Sequence, residues 1–476
     1  MASPPQTECL IAAGLGSQVF LPDNPKYVTS NGSYFDNGAK LHPACFFQPR
    51  TTAELATAVK ALSDVDQPFA VRSGGCTISA GSNNIDGGVT IELGLLKSVE
   101  YDSKTDTANV GSGATWQEVY DKLEKHQRVV SGGRAGSVGV GGYLLGGGLS
   151  FYTGLHGFAC DNVVAYEVVL ANGSIIIASA DEHDDLFRVL KGGSNNFGIV
   201  TRFTLRTLPN GPVWGGVSVK PIHGLPRASQ ALVDFTANAS NDPASTMIFV
   251  AGHQPKLGGE VIMTLTFNAA GVEKPKAFDQ FMSLPETFSQ YTKGNIQGLL
   301  PFQELPRDFY NLWYTNTFKN DAAIVIKASE LLFQLGKDLE NRVSDGDFNT
   351  HVAFLPIPRL YAEKAEAAGG NVLGLDHLPY DAIMLQASAS VRTAELADWV
   401  RPRIQTLLDD VRAFAVSREG FVDWKYLNYA HDSQEVLQGY GQDNVQKIRE
   451  AAAKYDPKGV FQRLCSGGFK VSAVKD

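Results

Sequence analysis

Phe69-Ala70-Val71-Arg72-Ser73-Gly74-Gly75-Cys76-Thr77, and further along Gly132-Gly133-Arg134-Ala135-Gly136-Ser137-Val138-Gly139-Val140-Gly141-Gly142-Tyr143-Leu144-Leu145-Gly146-Gly147-Gly148, are the stretches on which the chain is organised. An apolar strand that runs into Arg-Ser-Gly-Gly can turn with positive φ and approach a ligand closely, because glycine has no Cβ in the way. Amides freed at such a turn converge on one anion, and Arg72 is placed to add charge-assisted bonds to the same oxygens. An ordinary turn needs one or two glycines. The second, denser segment therefore points to one long anionic ligand held along its length by two loops.

The elements around these loops follow from local patterns. A short helix is expected near Glu8–Ala13, and Pro43-Ala44-Cys45-Phe46-Phe47-Gln48-Pro49 reads as a strand. Thr51-Thr52 supplies a natural threonine N-cap for a helix to Leu62. With the strand Phe69–Val71 this makes a strand-helix-strand unit whose glycine loop lies at a strand's carboxyl end, where open α/β sheets bind ligands. Val89–Leu93 and Thr107–Gly111 alternate as strands, and Thr115-Trp116-Gln117-Glu118 is a capping box for a helix to Leu123. Asn172-Gly173 predicts a hairpin between Val163–Leu170 and Ser174–Ala178, followed by a helix over Asp184–Leu190. Gly192–Thr201 reads as a glycine turn that feeds a buried strand. Turn residues cluster at Pro209-Asn210-Gly211-Pro212, after which amphipathic helices such as Ala323–Leu332 and Thr393–Val400 alternate with strands. That part fits an antiparallel sheet with helices on one face. Near the end, Asp443–Tyr455 is helical and stops at Asp456-Pro457.

Taken together and in this order, the motifs resemble the FAD-binding vanillyl-alcohol oxidase and p-cresol methylhydroxylase superfamily, in particular its fungal berberine-bridge-enzyme-like branch. The resemblance covers nearly the whole chain. It implies an α+β protein of two domains: an N-terminal segment (1–40), an FAD-binding domain (41–210), a substrate domain on an antiparallel sheet (211–422), and a C-terminal segment (423–476) that returns to the FAD domain. It also implies FAD contacts from Arg72, Ser73, Gly74, Gly75, Cys76 and Thr77 in the first loop, and from Gly132, Gly133, Gly136, Ser137, Val138, Gly141, Gly142 and Gly146 in the second. Gly198, Ile199 and Val200 stand where the family carries Gly-Ile-Val against the cofactor, and Asn428 with Tyr429 where it carries an Asn-Tyr pair near the flavin.

In the family the residue after the first Gly-Gly is usually a His joined to the flavin 8α-methyl, and some members add a Cys in the second loop. Cys76 and Ala135 occupy those positions here. Cys76 can be a thioether to the ring, a free thiol beside noncovalent FAD, or an engineered replacement of His. A covalent link generally raises the flavin potential, so its loss weakens oxidation.

The resemblance implies hydride transfer from a small organic substrate, an alcohol, a sugar or a secondary-metabolite intermediate, to flavin N5 and then to O2. The alternative is a redox-neutral flavoprotein acting as a cyclase of the Diels-Alderase kind or an isomerase, and a plain binding protein is a third class. Tyr429, Tyr426 and Tyr143 are the candidate bases, each with a structural alternative as a buried, hydrogen-bonded phenol. An unperturbed tyrosine titrates near ~10 and needs a neighbouring cation to act as a base. His156 can approach the ring or serve as a loop histidine bonded to backbone.

Composition sets outer limits. A chain of 476 residues with 43% hydrophobic and 19% charged residues is ordinary globular material, too long for one core. Its formal charge of −9 and lack of a basic stripe argue against nucleic acid. Five scattered cysteines without Cys-x-x-Cys spacing indicate neither zinc nor a disulfide framework. No metal site and no membrane span are expected. The N-terminus has no leader pattern, which suggests the cytoplasm; a removed leader would leave secretion open, as would the sequons at Asn31, Asn172 and Asn238.

Overall fold

Threonine caps start the helices where the sequence places them. In the computed structural model, which describes residues 5–475, Thr51 Oγ1 accepts from the Glu54 amide at 3.1 Å and opens the helix Thr52–Asp64. Thr115 opens Trp116–Glu124, and Glu118 Oε2 reaches back to the Thr115 amide at 3.0 Å, completing the reciprocal box. The first helix spans Pro5–Ala12, slightly ahead of its expected position.

Three sheets are present among the described residues. The first takes β1 (Val19–Phe20), β2 (Cys45–Phe47), β3 (Phe69–Arg72) and β4 (Val89–Glu92) in the order β1-β2-β4-β3. The strand-helix-strand unit is there, but β4 lies between β2 and β3, parallel to both. The second takes β5 (Val99–Asp102), β6 (Thr107–Gly111), β7 (Arg128–Val130), β8 (Val163–Val169), β9 (Ile175–Ser179) and β10 (Ile199–Pro209). Its order is β5-β6-β10-β8-β9, with β7 against the far end of β10. Gly173, at φ +82°, makes the β8–β9 turn, a conformation that favours glycine.

The third sheet has eight strands: β11 (Val213–Lys220), β12 (Ser245–Gln254), β13 (Gly259–Asn268), β14 (Phe288–Gly294), β15 (Tyr310–Lys319), β16 (Asn349–Ile357), β17 (Ala382–Val391) and β18 (Phe421–Val422). Their order is β14-β11-β13-β12-β16-β17-β15-β18, all pairings antiparallel. Helices Leu225–Ala237, Ala322–Glu340 and Ala394–Ser417 contribute to one apolar core with Phe249, Phe354 and Leu385. Successive strand residues point to opposite faces, so their neighbours Val250, Ala353 and Gln386 face away from the helices, into a cavity.

The end of the chain packs on its first part. Lys454 Nζ and Tyr455 Oη, on the helix Gln442–Tyr455, each lie 2.6 Å from the Asp185 carboxylate on Asp184–Leu190. Asn196 Oδ1 accepts from the Val471 amide at 3.0 Å. Among the described residues no helix is long and apolar enough to cross a membrane.

Candidate active site

The two glycine loops meet backbone to backbone. A Cβ on Gly74 would lie 2.5 Å from Gly139 N and 2.6 Å from Gly139 Cα, so neither position admits a side chain without displacement. Ser73 Oγ ties the crossing together: it donates to Ser112 O at 2.6 Å and accepts from the Gly141 amide at 3.2 Å. Behind this crossing lies a cavity of about 690 Å³. Ser73, Gly74, Gly75, Cys76 and Thr77 line it from the first loop, Gly133, Val138, Gly141 and Gly142 from the second, and Gly198, Ile199 and Val200 from the start of β10.

Among the described residues, the amides of Gly75, Cys76, Thr77 and Ile78 donate to no protein acceptor. A run of such amides is able to receive an anion. Ser112 Oγ and Asn83 Oδ1 are buried at the same cavity without a partner. Gly142 opens on it, with nothing within 4 Å of an added Cβ.

Arg72 stands beneath this run of amides rather than in the cavity: a Cβ on Gly75 would lie 2.8 Å from its Nε, which is buried without a partner. Its Nη2 donates to Ser33 Oγ at 2.6 Å and its Nη1 to Ser30 O. The guanidinium also lies 4.0 Å from the Tyr34 ring centroid and within 3.5 Å of Glu92. It is buried on the far side of β3 and does not line the cavity. Gly132, Gly136, Ser137 and Gly146 do not line it either. A Cβ on Gly132 would lie 2.8 Å from Tyr120 Oη, one on Gly136 2.8 Å from Gln117 Oε1, and one on Gly146 2.8 Å from Asn428 Cγ. These glycines make room for protein rather than ligand. Ser137 is taken by Glu304, whose carboxylate accepts from its amide at 3.0 Å and its hydroxyl at 2.6 Å.

The three tyrosines are brought together at one end of the cavity, each with different partners. Tyr143 Oη lies 2.8 Å from Leu149 O and 3.1 Å from Gly132 O, and braces the loop as a donor. Tyr426 Oη accepts from the amides of Gly148 and Leu149, each at 2.9 Å, and from Asn428 Nδ2 at 3.1 Å. Burial pushes both phenols well above their ordinary range. Tyr429 Oη, half-buried, accepts from Arg134 Nη2 at 2.9 Å. Arg134 and Glu304 are the charged side chains that line this cavity among the described residues. Nothing local in the sequence shows that Arg134 reaches a residue nearly three hundred positions away.

Cys76 Sγ lies 3.6 Å from Gly74 O and 3.7 Å from Ser137 O, where the thiol donates to a carbonyl. Burial raises its pKa. His156 ends the short helix Thr153–His156, its carbonyl accepting from Asn162 Nδ2 at 3.0 Å, and does not line the cavity.

The opposite wall is the helix-free face of the eight-stranded sheet, with Val217 of β11, Met263 and Leu265 of β13, Ile248 and Val250 of β12 and Ala353 and Leu355 of β16. Gln254, Asn349, His351, Gln386 and Trp313 complete it.

An amide nest continuous with a sheet-walled pocket is the architecture of a flavoprotein that holds a dinucleotide cofactor beside its substrate. Residues 43–179 match the family model described as an FAD binding domain. The chain is 34% identical over 467 residues to the FAD-dependent monooxygenase drtC of Aspergillus calidoustus, covering 97% of this chain and 89% of that protein. It is 32% identical over 465 residues to the bifunctional solanapyrone synthase of Alternaria solani, covering 97% and 88%. The structure of a single-residue variant of berberine bridge enzyme superposes with a TM-score of 0.79 at 17% identity, over 99% of this chain and 100% of that one. The chain belongs to the family of fungal FAD-linked oxidoreductases that includes drtC, and it has the fold of berberine bridge enzyme. Its cofactor is FAD, and the free amides, the orphaned Ser112 and Asn83 oxygens and the open face at Gly142 fit that molecule.

Proposed function

We propose that the protein oxidises a small organic substrate of secondary metabolism at a carbon bearing a hydroxyl, with Tyr429 as the catalytic base. Bound FAD supplies the hydride acceptor, which O2 reoxidises. The chain's own residues supply the rest. The first loop grips the cofactor through main-chain amides, and the crossing at Gly74 and Gly139 fixes its position relative to the second loop. The eight-stranded sheet carries the substrate on the other side. Entering the step as phenolate beside Arg134, Tyr429 takes the substrate's hydroxyl proton and leaves it as phenol while the carbon gives up its hydride.

The observation that carries this reading is the 2.9 Å bond from Arg134 Nη2 to Tyr429 Oη. A phenol whose oxygen accepts from a guanidinium keeps its lone pairs oriented and its negative form compensated when it gains or loses a proton. Tyr143 and Tyr426 are occupied in bracing the loop and the strand of chain beside it. Tyr429→Phe should lower kcat by about 10²–10⁴-fold with flavin content unchanged. In anaerobic mixing, substrate should bleach the wild-type flavin at full rate and the variant's slowly; equal rates would remove Tyr429 from the role.

Cys76 in place of the usual His, with Ala135 in the second loop, supports one other reading: a redox-neutral cyclase or isomerase in natural-product biosynthesis that uses the pocket as a template. The same experiment separates them, since product formed anaerobically without bleaching belongs to the redox-neutral enzyme.

A further inference from the structure

The sheet's cavity face changes chemical character across its width. Val217, Ile248, Val250, Met263, Leu265 and Leu355 form a purely apolar end. The other end carries Gln254, Asn349, His351 and Gln386, and no charged side chain comes from the sheet's share of the lining among the described residues. These positions are adjacent by register. Ala353 on β16 faces Gln386 on β17, His351 faces Ser388 on one side and Gly252 of β12 on the other. A Cβ at Gly252 would stand 3.1 Å from Thr350 O and 3.3 Å from His351 Cβ, so the glycine lets the two strands approach closely beside His351.

The polar groups at this end are under-supplied with partners. Ser388 Oγ lies 3.0 Å from His351 Nδ1 and 2.9 Å from Nε2, and one hydroxyl can serve only one of them well. Asn349 Oδ1 is buried with no partner. Gln386 is only 8% exposed, and no protein group bonds its side-chain amide among the described residues. Gln254, which is half-buried, has no protein partner for its side-chain amide either among the described residues. Buried amides are rarely left unpaired, because the lost hydrogen bonds to water are not replaced. Burial also lowers the His351 pKa to about 4, so the ring is neutral and offers one donor and one acceptor. Three amides and a neutral imidazole offer donors and acceptors without net charge. A carboxylate or an ammonium brought here would lose its hydration and meet no counter-charge from the sheet.

We infer that the patch formed by Gln254, Asn349, His351 and Gln386 binds the neutral, oxygen-bearing end of an otherwise apolar substrate, a hydroxyl, ketone or lactone, and rejects acids and amines. The inference rests on the cavity being the substrate site, and it names the substrate class that site takes. It does not depend on Tyr429 being the base.

Equilibrium dialysis of the FAD-loaded protein with naphthalene, naphthol and naphthoate tests it. Naphthol should bind at least about tenfold more tightly than naphthalene and than naphthoate, the equivalent of one well-made hydrogen bond. Gln386→Leu, and separately Asn349→Ala, should cut that preference severalfold while naphthalene binding holds, with thermal melting and flavin content reporting that each variant is folded. Naphthoate binding as tightly as naphthol, a preference untouched in both folded variants, or no binding of any probe would each overturn the inference. A preserved naphthol preference alongside a Tyr429→Phe variant of full activity would leave the patch standing and remove only the assignment of the base.

Discussion

The Cys76 thiol lies between two backbone carbonyls, at 3.6 and 3.7 Å, and burial disfavours its thiolate. The thiolate is the nucleophile of sulfur chemistry, so a site that holds the proton on sulfur opposes attachment to a flavin. Acid precipitation of the holoprotein should leave the yellow colour in the supernatant; colour in the pellet would mean a thioether. The same residue scale shows where sequence reading reaches its limit. Arg72 and Arg134 both sit beside glycine turns, and the reading gave the ligand to the first. Its partners Ser30, Ser33 and Tyr34 come from a segment about forty residues upstream that carries no signal for this contact. Side-chain direction at a loop is set by whatever packs there from elsewhere. The Gly-Gly pairs were legible because backbone approach needs glycine whatever surrounds it.

At the scale of elements, the capped helices and the Asn172-Gly173 hairpin were legible because their signals are local, in a side chain that bonds an amide three residues on or in a turn that needs positive φ. The helix Val140–Leu145 was not, since its Val-Gly-Gly-Tyr-Leu-Leu sequence has poor propensity and tertiary packing imposes the conformation. Gly142 on this helix opens on the cavity, and a side chain there would occupy ligand space without touching protein. Gly142→Val should therefore leave the thermal melt of the flavin-free protein nearly unchanged while reducing FAD content severalfold, read from absorbance per mole of protein. Flavin content equal to the wild type's would mean that the cofactor passes elsewhere. The eight-stranded sheet was legible as a class, antiparallel with helices on one face. Its order was not, because β11 and β12 also pair with β14 and β16, strands farther along the chain that alternation cannot distinguish.

For the molecule as a whole, contacts between distant segments carry titratable groups that report on folding. Asp36, in the N-terminal region, accepts from the Asn311 amide of β15 at 2.6 Å and from its side chain at 3.2 Å. Burial outweighs these bonds and raises its pKa from 3.8 to about 6. A carboxyl whose folded value exceeds its unfolded one is protonated more readily in the folded state. Its contribution is full at low pH and is lost as pH rises from about 4 to about 6, by up to about 3 kcal/mol. Asp36→Asn removes that titration, so the stability of the wild type relative to the variant should fall across this window when unfolding is followed at fixed denaturant. A constant difference would place the ionised carboxylate comfortably in the fold.

In the proposed reading the main-chain amides beside the crossing of Gly74 and Gly139 hold the cofactor, while β11, β12, β13, β16 and β17 frame what the substrate meets. Holding and choosing thus reside on separate stretches of polypeptide. A library diversified only along the strands would stay uniformly yellow whatever each member transformed, so pigment would score folding and a second assay alone would score chemical taste.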